Sequence, residues 1–202
     1  MVRAGAADGS HGSANEDGRF YLSARSERTI AVFPARLTGS PQLVLPAGIV
    51  PFPRGFAFAK DGRIFLASGI GPTGTGDNTI AAFTAAGGAI NPQFVRDPEL
   101  SPLDLLLAPN GDLLVASEYP FGAVQAVTTI RQYDSDTGQL VRVFRPNATV
   151  QFRRPRGLRF GPDGHLYCVA QDEVVGFDFT TGTCLGALVR YPRLNGMALE
   201  FF

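Results

Sequence analysis

Residues 155–182 read PRGLRFGPDGHLYCVAQDEVVGFDFTTG. Two apolar runs, Leu158-Arg159-Phe160 and the segment HLYCVA from His165, flank the pair Asp163-Gly164. Asp-Gly or Asn-Gly between apolar runs is the strongest short hairpin signal, because a type I′ turn needs positive φ at both central residues. A third run, EVVGF from Glu173, ends in an aromatic and leads through DFTTG to Gly182. A fourth run, CLGALV, begins at Cys184. The stretch therefore predicts four short antiparallel strands joined by tight turns.

The same unit recurs along the chain. Its Asp/Asn-Gly pairs stand at Asp17-Gly18, Asp61-Gly62, Asn110-Gly111 and Asp163-Gly164, spaced 44, 49 and 53 residues apart. Each precedes a β-like run: RFYLSA, RIFLAS, DLLVAS and HLYCVA. The upstream partners are Phe56-Ala57-Phe58, Leu105-Leu106-Leu107 and Leu158-Arg159-Phe160. Third strands start at Thr29, Thr79, Thr129 and Glu173, and fourth strands at Gln42, Gln93, Gln139 and Cys184. No segment carries a helical period. Four-stranded units repeated at this length predict an all-β chain, a β-propeller of about four blades. One such unit cannot bury both faces of its sheet, and stacking neighbours does so. Innermost strands are expected near 56–59, 105–108, 158–161 and 197–200. Phe56, Phe58, Leu105, Leu107, Leu158, Phe160, Leu22, Leu66, Val115 and Cys168 are expected to be buried between blades.

The ends of the repeat are complementary. The first unit begins at its Asp-Gly turn and lacks an innermost strand, whereas residues 195–199 (NGMAL) repeat the start of a unit. Strand 196–200 is therefore expected to pair with 19–24. Either the chain is a small closed ring, or it is part of a six-bladed propeller. Residues 1–16, MVRAGAADGSHGSANE, have no apolar centre. They read as a flexible tail ahead of a propeller domain at 17–202, and not as a secretory signal.

Composition narrows the function classes. The 202 residues carry 18 basic and 18 acidic side chains, so no chain-wide basic footprint for nucleic acid exists. No apolar run is long enough for a membrane-spanning helix. Cys168 and Cys184 are the only cysteines, and His11 and His165 do not complete a zinc site with them. They read as two partly buried thiols, with a disulfide as the alternative. The Gly-rich GIGPTGTGD from Gly69 lacks GK[ST] and lies between strands, so it does not read as a phosphate loop.

Units such as 155–182 resemble NHL-type repeats, within the broad group of propellers that includes the gluconolactonase and regucalcin-like lactonases. The resemblance spans nearly everything after residue 16. It implies a six-bladed fold and one divalent metal in an axial channel, held by acidic and Asn ligands and activating water. Asn195-Gly196-Met197 resembles the Asn-Gly-Leu motif of that group, which makes Asn195 the one ligand carried over. The group's early Glu-Gly-Pro motif has no counterpart.

In a propeller the loops between strands two and three share a face with the links between blades. The first of these loops are long at 69–78 and 118–128 and short in the other two units. Selective lengthening suits a binding face. The residues just before the innermost strands are Arg54, Leu103 with Asp104 beside it, Arg156 and Asn195. Arg54 and Arg156 would repel a metal and suit a carboxylate or phosphate, which their planar guanidiniums can clamp. The expected ligand-binding set is Arg54, Asp77, Asp104, Glu118, Tyr119, Arg156 and Asn195. It serves a non-catalytic binding propeller for a protein, peptide or small anionic ligand, with no cofactor and no nucleic-acid partner. The alternative is a metal-dependent hydrolase of the lactonase group, and only that alternative brings a divalent metal.

Overall fold

A computed structural model describes residues 12–14, 19–34, 42–46, 48–70, 76–118, 128–194, 196, 199 and 201. Every regular element among them is a strand, so none is a helix long and apolar enough to cross a membrane. The strands form four antiparallel sheets of four, each ordered as the chain runs. The first holds β1 (Gly12–Ala14), β2 (Phe20–Ala24), β3 (Thr29–Phe33) and β4 (Gln42–Leu43). The second holds β5 (Pro53–Phe58), β6 (Ile64–Ile70), β7 (Gly76–Phe83) and β8 (Ala89–Arg96). The third holds β9 (Pro102–Leu107), β10 (Leu113–Ser117), β11 (Thr129–Tyr133) and β12 (Leu140–Phe144). The fourth holds β13 (Pro155–Phe160), β14 (Leu166–Ala170), β15 (Glu173–Phe177) and β16 (Cys184–Arg190). This is the expected all-β propeller architecture of about four blades.

Three of the four Asp/Asn-Gly turns differ from the expected type, and Asp17-Gly18 lies outside the described residues. Gly62, Gly111 and Gly164 have φ of 85°, 93° and 78°, but the Asp or Asn before each does not enter the positive-φ region. Gly62 N donates to the Ala59 carbonyl at 2.9 Å, and Ala59 N to the Arg63 carbonyl at 2.8 Å. Ala108 to Asp112 and Gly161 to His165 repeat both bonds. Each loop is thus a type I turn closed by a left-handed glycine, with the strands splayed by one residue. The Asp or Asn has its own task. Asp61, Asn110 and Asp163 each accept, at Oδ1, the N–H two residues on, at 3.0, 3.2 and 3.1 Å. That bond, first at Asp61 and after the Tyr167 hydroxyl at Asp163, holds both carboxyls below the usual aspartate range.

The chain divides into units 1–96 and 97–202. In the first, Tyr21, Ile30 and Val32 meet Phe56, Ile64, Leu66, Ala81 and Phe83, with Leu45 and Val50 of the connecting segment between them. The Tyr21 and Phe58 rings meet edge to face at 4.7 Å. Tyr21, not Leu22, takes the core position of β2: adjacent residues point to opposite faces, and Leu22 is half-buried. In the second unit Leu114, Ala116, Ile130 and Phe144 pack on Leu158, Leu166, Cys168, Val175 and Phe177, and Phe152 closes the layer. Burying each aromatic contributes about 1.5–3 kcal/mol. Of the residues expected to be buried, Phe56, Leu66, Leu105, Val115, Leu158 and Cys168 are, while Phe58, Leu107 and Phe160 are half-buried toward the strand ends.

A buried polar network braces the third sheet. Arg131 is 3% exposed and donates to Asp97 Oδ2 at 2.6 Å and to Glu99. The Tyr133 hydroxyl donates to the same Asp97 oxygen at 2.9 Å. Burial, then the adjacent Asp97 charge, pushes the Tyr133 phenol far above the ordinary tyrosine range, so it stays a donor.

The expected closure is corrected. The strand beside β2 is β1, in register from Gly12↔Leu22 to Ala14↔Phe20. Residues 12–14, read as part of a flexible tail, therefore supply the innermost strand of the first sheet, in the place expected for 196–200. Of that C-terminal strand, residues 197, 198 and 200 lie outside the described residues. Gly196 N donates to the Gln171 carbonyl at 3.2 Å, and Leu199 and Phe201 pack on Tyr167, Val169 and Val174. The apolar face of the fourth sheet gives these side chains cover within their own unit.

The turns generate a graded test. A Cβ at Gly111 meets nothing within 4 Å, whereas one at Gly62 lies 3.1 Å from Ala85 Cβ. Gly111→Ala is expected to cost about 1–2 kcal/mol, the left-handed penalty of an L residue alone. Gly62→Ala is expected to cost more. Urea denaturation midpoints check both, and equal losses would show that crowding at Ala85 is irrelevant.

Candidate functional site

Three of the four innermost strands, β5, β9 and β13, share an irregularity at the positions singled out in the sequence. Pro53 pairs with Ser68 and Phe56 with Leu66, so β5 carries one residue more than β6 between those pairs. Asp104 pairs with Ala116 but Pro102 with Ser117, leaving Leu103 as the extra residue. Arg156 pairs with Val169 and Leu158 with Cys168, leaving Gly157, whose φ is 55°. A bulge re-aims the side chains around it and is a common feature beside functional sites. Each bulge lies at the end of the sheet where strands two and three are joined.

In the first unit Arg54 sits in the β5 bulge, half-buried. Its guanidinium lies 5.3 Å from the centre of the Phe52 ring, and that of Arg25 lies 4.8 Å from the same ring. Both distances are within cation–π range. Gly69 makes the space for Arg54: a Cβ there would collide with the guanidinium. The Gly69 N–H donates to the Phe52 carbonyl at 3.0 Å, which fixes the ring beneath both cations. Arg28, in the turn between β2 and β3, donates from Nε to the Pro51 carbonyl at 3.2 Å. Asp77 is held at the same end of β6, accepting from Ser68 Oγ at 2.7 Å. Sequence reasoning found Arg54 and Asp77 here and missed Arg25, Arg28 and Phe52. The available signal was the arginine pair in the four-residue turn ARSERT and an aromatic two residues before Arg54.

In the second unit the expected residues take different parts. Asp104, expected at the channel mouth, is buried. Its Oδ1 accepts from Leu105 N at 2.9 Å and its Oδ2 from Leu158 N at 3.0 Å. The carboxylate ties β9 to β13, positioning the bulge that carries Arg156 instead of standing open to a ligand. Arg156 is half-buried, and its carbonyl accepts from the Cys168 thiol at 3.4 Å. Glu118, just past β10, has Oε1 4.0 Å from Arg154 Nε. Tyr119 and Asn195 lie outside the described residues.

Neither cysteine is a disulfide partner. Burial first, then the nearby Asp104 charge, raises the Cys168 thiol well above its usual range, which removes it as a nucleophile. The metal implied by the lactonase resemblance needs several oxygen or nitrogen donors aimed at one point. Among the described residues no three His, Cys, Asp or Glu side chains converge. Two of the bulged strands carry arginine, and both Asp104 oxygens are engaged by backbone N–H groups. These residues do not fit such a centre.

No protein-family profile and no curated protein matches the sequence. Solved structures do match. A catalytically inactive virginiamycin B lyase from Staphylococcus aureus, crystallised with quinupristin, aligns at a TM-score of 0.67 and 16% identity, over 93% of this chain and 57% of that one. A gluconolactonase from Xanthomonas campestris aligns at 0.54 and 17%, over 92% and 76%. A calcium-binding regucalcin from Agrobacterium tumefaciens aligns at 0.60 and 17%, over 88% and 57%. The chain thus spans little more than half the length of the lyase and the regucalcin. At identities this low the likeness establishes the fold alone, a propeller of the kind these proteins share, as the repeat suggested.

Iodoacetamide at pH 8 is expected to modify half-buried Cys184 while Cys168 stays protected until denaturant unfolds the second unit. Mass spectrometry of the alkylated peptides reads this, and rapid native labelling of Cys168 would contradict its burial. Asp104→Ala should cost about 2–3 kcal/mol, because two backbone N–H groups lose a charged acceptor, and should speed Cys168 labelling.

Proposed function

We propose that this chain is a non-catalytic binding propeller that takes a small anionic ligand or acidic peptide at the bulged starts of its innermost strands. The observation that carries the reading is Arg54: a guanidinium placed by a bulge, seated on Phe52 beside Arg25 and accommodated by a glycine. A long side chain already held in place loses little freedom on binding. Planar guanidinium groups suit carboxylate and phosphate oxygens. Arg156 holds the equivalent bulge in the second unit and supports the same preference there.

The structural neighbours favour a second reading, hydrolysis of a sugar lactone assisted by a divalent metal. A gluconolactonase is among them. Among the described residues the donors do not converge on one point, which favours the binding reading.

Gluconate, inorganic phosphate and a tetraglutamate peptide are suitable probes, titrated calorimetrically at low and at 0.5 M salt. At least one is expected to bind, more weakly at high salt because exposed charges are screened. Arg54→Ala should weaken binding at least tenfold with an unchanged melting curve. Gly69→Ala, which displaces the guanidinium without removing it, should weaken binding too. Arg156→Ala, tested separately, reports on the second unit. Absence of binding at millimolar concentration, or wild-type affinity in Arg54→Ala, would defeat the reading. Turnover of gluconolactone that depends on added divalent metal would install the hydrolase in its place.

A further inference from the structure

The turn between β14 and β15, Gln171-Asp172, overlooks a second feature of the 97–202 unit. Arg153, Asp172, Glu173, Arg190 and Tyr191 are among the residues lining a cavity of about 290 Å3. That is close to the lower end of the ~300–1,000 Å3 range of small-molecule sites. Its four charged side chains fall into two classes. Glu173 and Arg190 are engaged with the protein: Glu173 Oε1 accepts from Arg190 Nε at 2.9 Å, and Oε2 accepts from Gln151 N at 2.8 Å. Arg190 also donates to the Thr149 carbonyl.

Asp172 and Arg153 are engaged with neither. Asp172 Oδ1 is shut away from water and has no hydrogen-bond partner among the described residues. Burying one carboxylate oxygen without a donor is costly, and a cation at the open oxygen Oδ2 offsets that cost. Arg153 is exposed and forms no ion pair among the described residues. The turn that aims Asp172 is itself strained. Gln171 has a φ of 52°, a left-handed conformation that non-glycine residues rarely hold, and Arg154 and Arg193 nearby have φ of 49° and 67°. Tyr191 stands at the wall with 65% of its surface exposed, an aromatic face with no partner ring among the described residues.

We propose that this cavity binds a small zwitterion of the α-amino-acid class. The ammonium donates to Asp172, the carboxylate lies on the Arg153 guanidinium, and an apolar side chain covers Tyr191. One acceptor and one cation, both uncommitted among the described residues and lining one cavity of this size, match a ligand carrying both charged groups on one carbon. A simple anion would leave Asp172 unmet, and a simple amine would leave Arg153 unmet. The site is independent of Arg54, so either proposal stands if the other fails.

Calorimetric titration of the full chain with phenylalanine, phenylalaninamide and N-acetylphenylalanine tests it. Phenylalanine is expected to bind, and each analogue, lacking one charge, to bind at least tenfold more weakly. Asp172→Asn should weaken phenylalanine at least tenfold and abolish its advantage over the N-acetyl form. Arg153→Gln should do the same relative to the amide. Tyr191→Ala, at an exposed position, gives a variant that keeps its fold and should also lose affinity. The proposal is overturned if phenylalanine, leucine and alanine all fail to bind at 10 mM. It is equally overturned if the amide or the N-acetyl form binds as well as the free amino acid, or if the folded variants bind like the parent.

Discussion

The left-handed glycine that closes the first hairpin of the second, third and fourth sheets is the constraint on which the rest of each of these blades depends. Gly62, Gly111 and Gly164 set where β6, β10 and β14 begin relative to the strands before them. Side chains alternate with period two, so that starting point decides which residues enter the core. In the third and fourth sheets the result is one face carrying Leu114 and Ala116 opposite another carrying Leu166 and Cys168. The aspartate or asparagine before each glycine secures the turn from the side by accepting the N–H beyond it. The pair works as one device: glycine supplies the conformation, and the neighbouring side chain satisfies the amide that the conformation leaves open.

At the opposite end of the same strands a second device operates. The innermost strands β5, β9 and β13 each gain one residue over their partner, at the end of the sheet where strands two and three are linked. The bulge breaks the alternation just where the core gives out, so a side chain that would otherwise point into a neighbouring sheet is turned aside. Arg54 and Arg156 stand at two of these places, and Leu103 at the third. Asp104 shows how the arrangement is held: one carboxylate accepts N–H groups from both β9 and β13, at a point where the irregular ladder would leave amides without acceptors.

The repeat was legible because its signals are local. An Asp-Gly pair, an apolar run and an aromatic-terminated third strand all fall within a few residues of each other. The same locality limited the reading. Asp-Gly suits both a type I′ turn and a type I turn closed by glycine, and only the hydrogen bonds separate them. FYLSA offers Tyr21 and Leu22 as alternative core residues, and its weak polarity does not choose the face. TIRQY reads as an ordinary third strand, and nothing in it marks Arg131 as buried. Arg131 is buried because Asp97 and Glu99, more than thirty residues earlier, come to meet it. Asp104 was recognised as special, but its partner is the backbone of Leu158, which leaves no mark on residue identity. Repeat alignment placed Arg54 correctly at a strand start. Its seat on Phe52 beside Arg25 depends on two sheets meeting, which no single segment records.

What varies among these blades is chemistry, while the backbone stays constant. The bulge persists where the residue is arginine and where it is leucine, so the repeated frame carries different side chains at the same place. The resemblance to solved propellers has the same character: 16–17% identity preserves the frame across proteins named for lyase, lactonase and calcium-binding properties. The chain has no net charge, so no long-range field draws an anion to it. Attraction must come from charges clustered within about 10 Å of the ligand, the distance over which salt leaves an exposed charge effective. Arg25 and Arg54 on one ring meet that condition. Their placement, more than any overall composition, is what the proposed binding reading rests on.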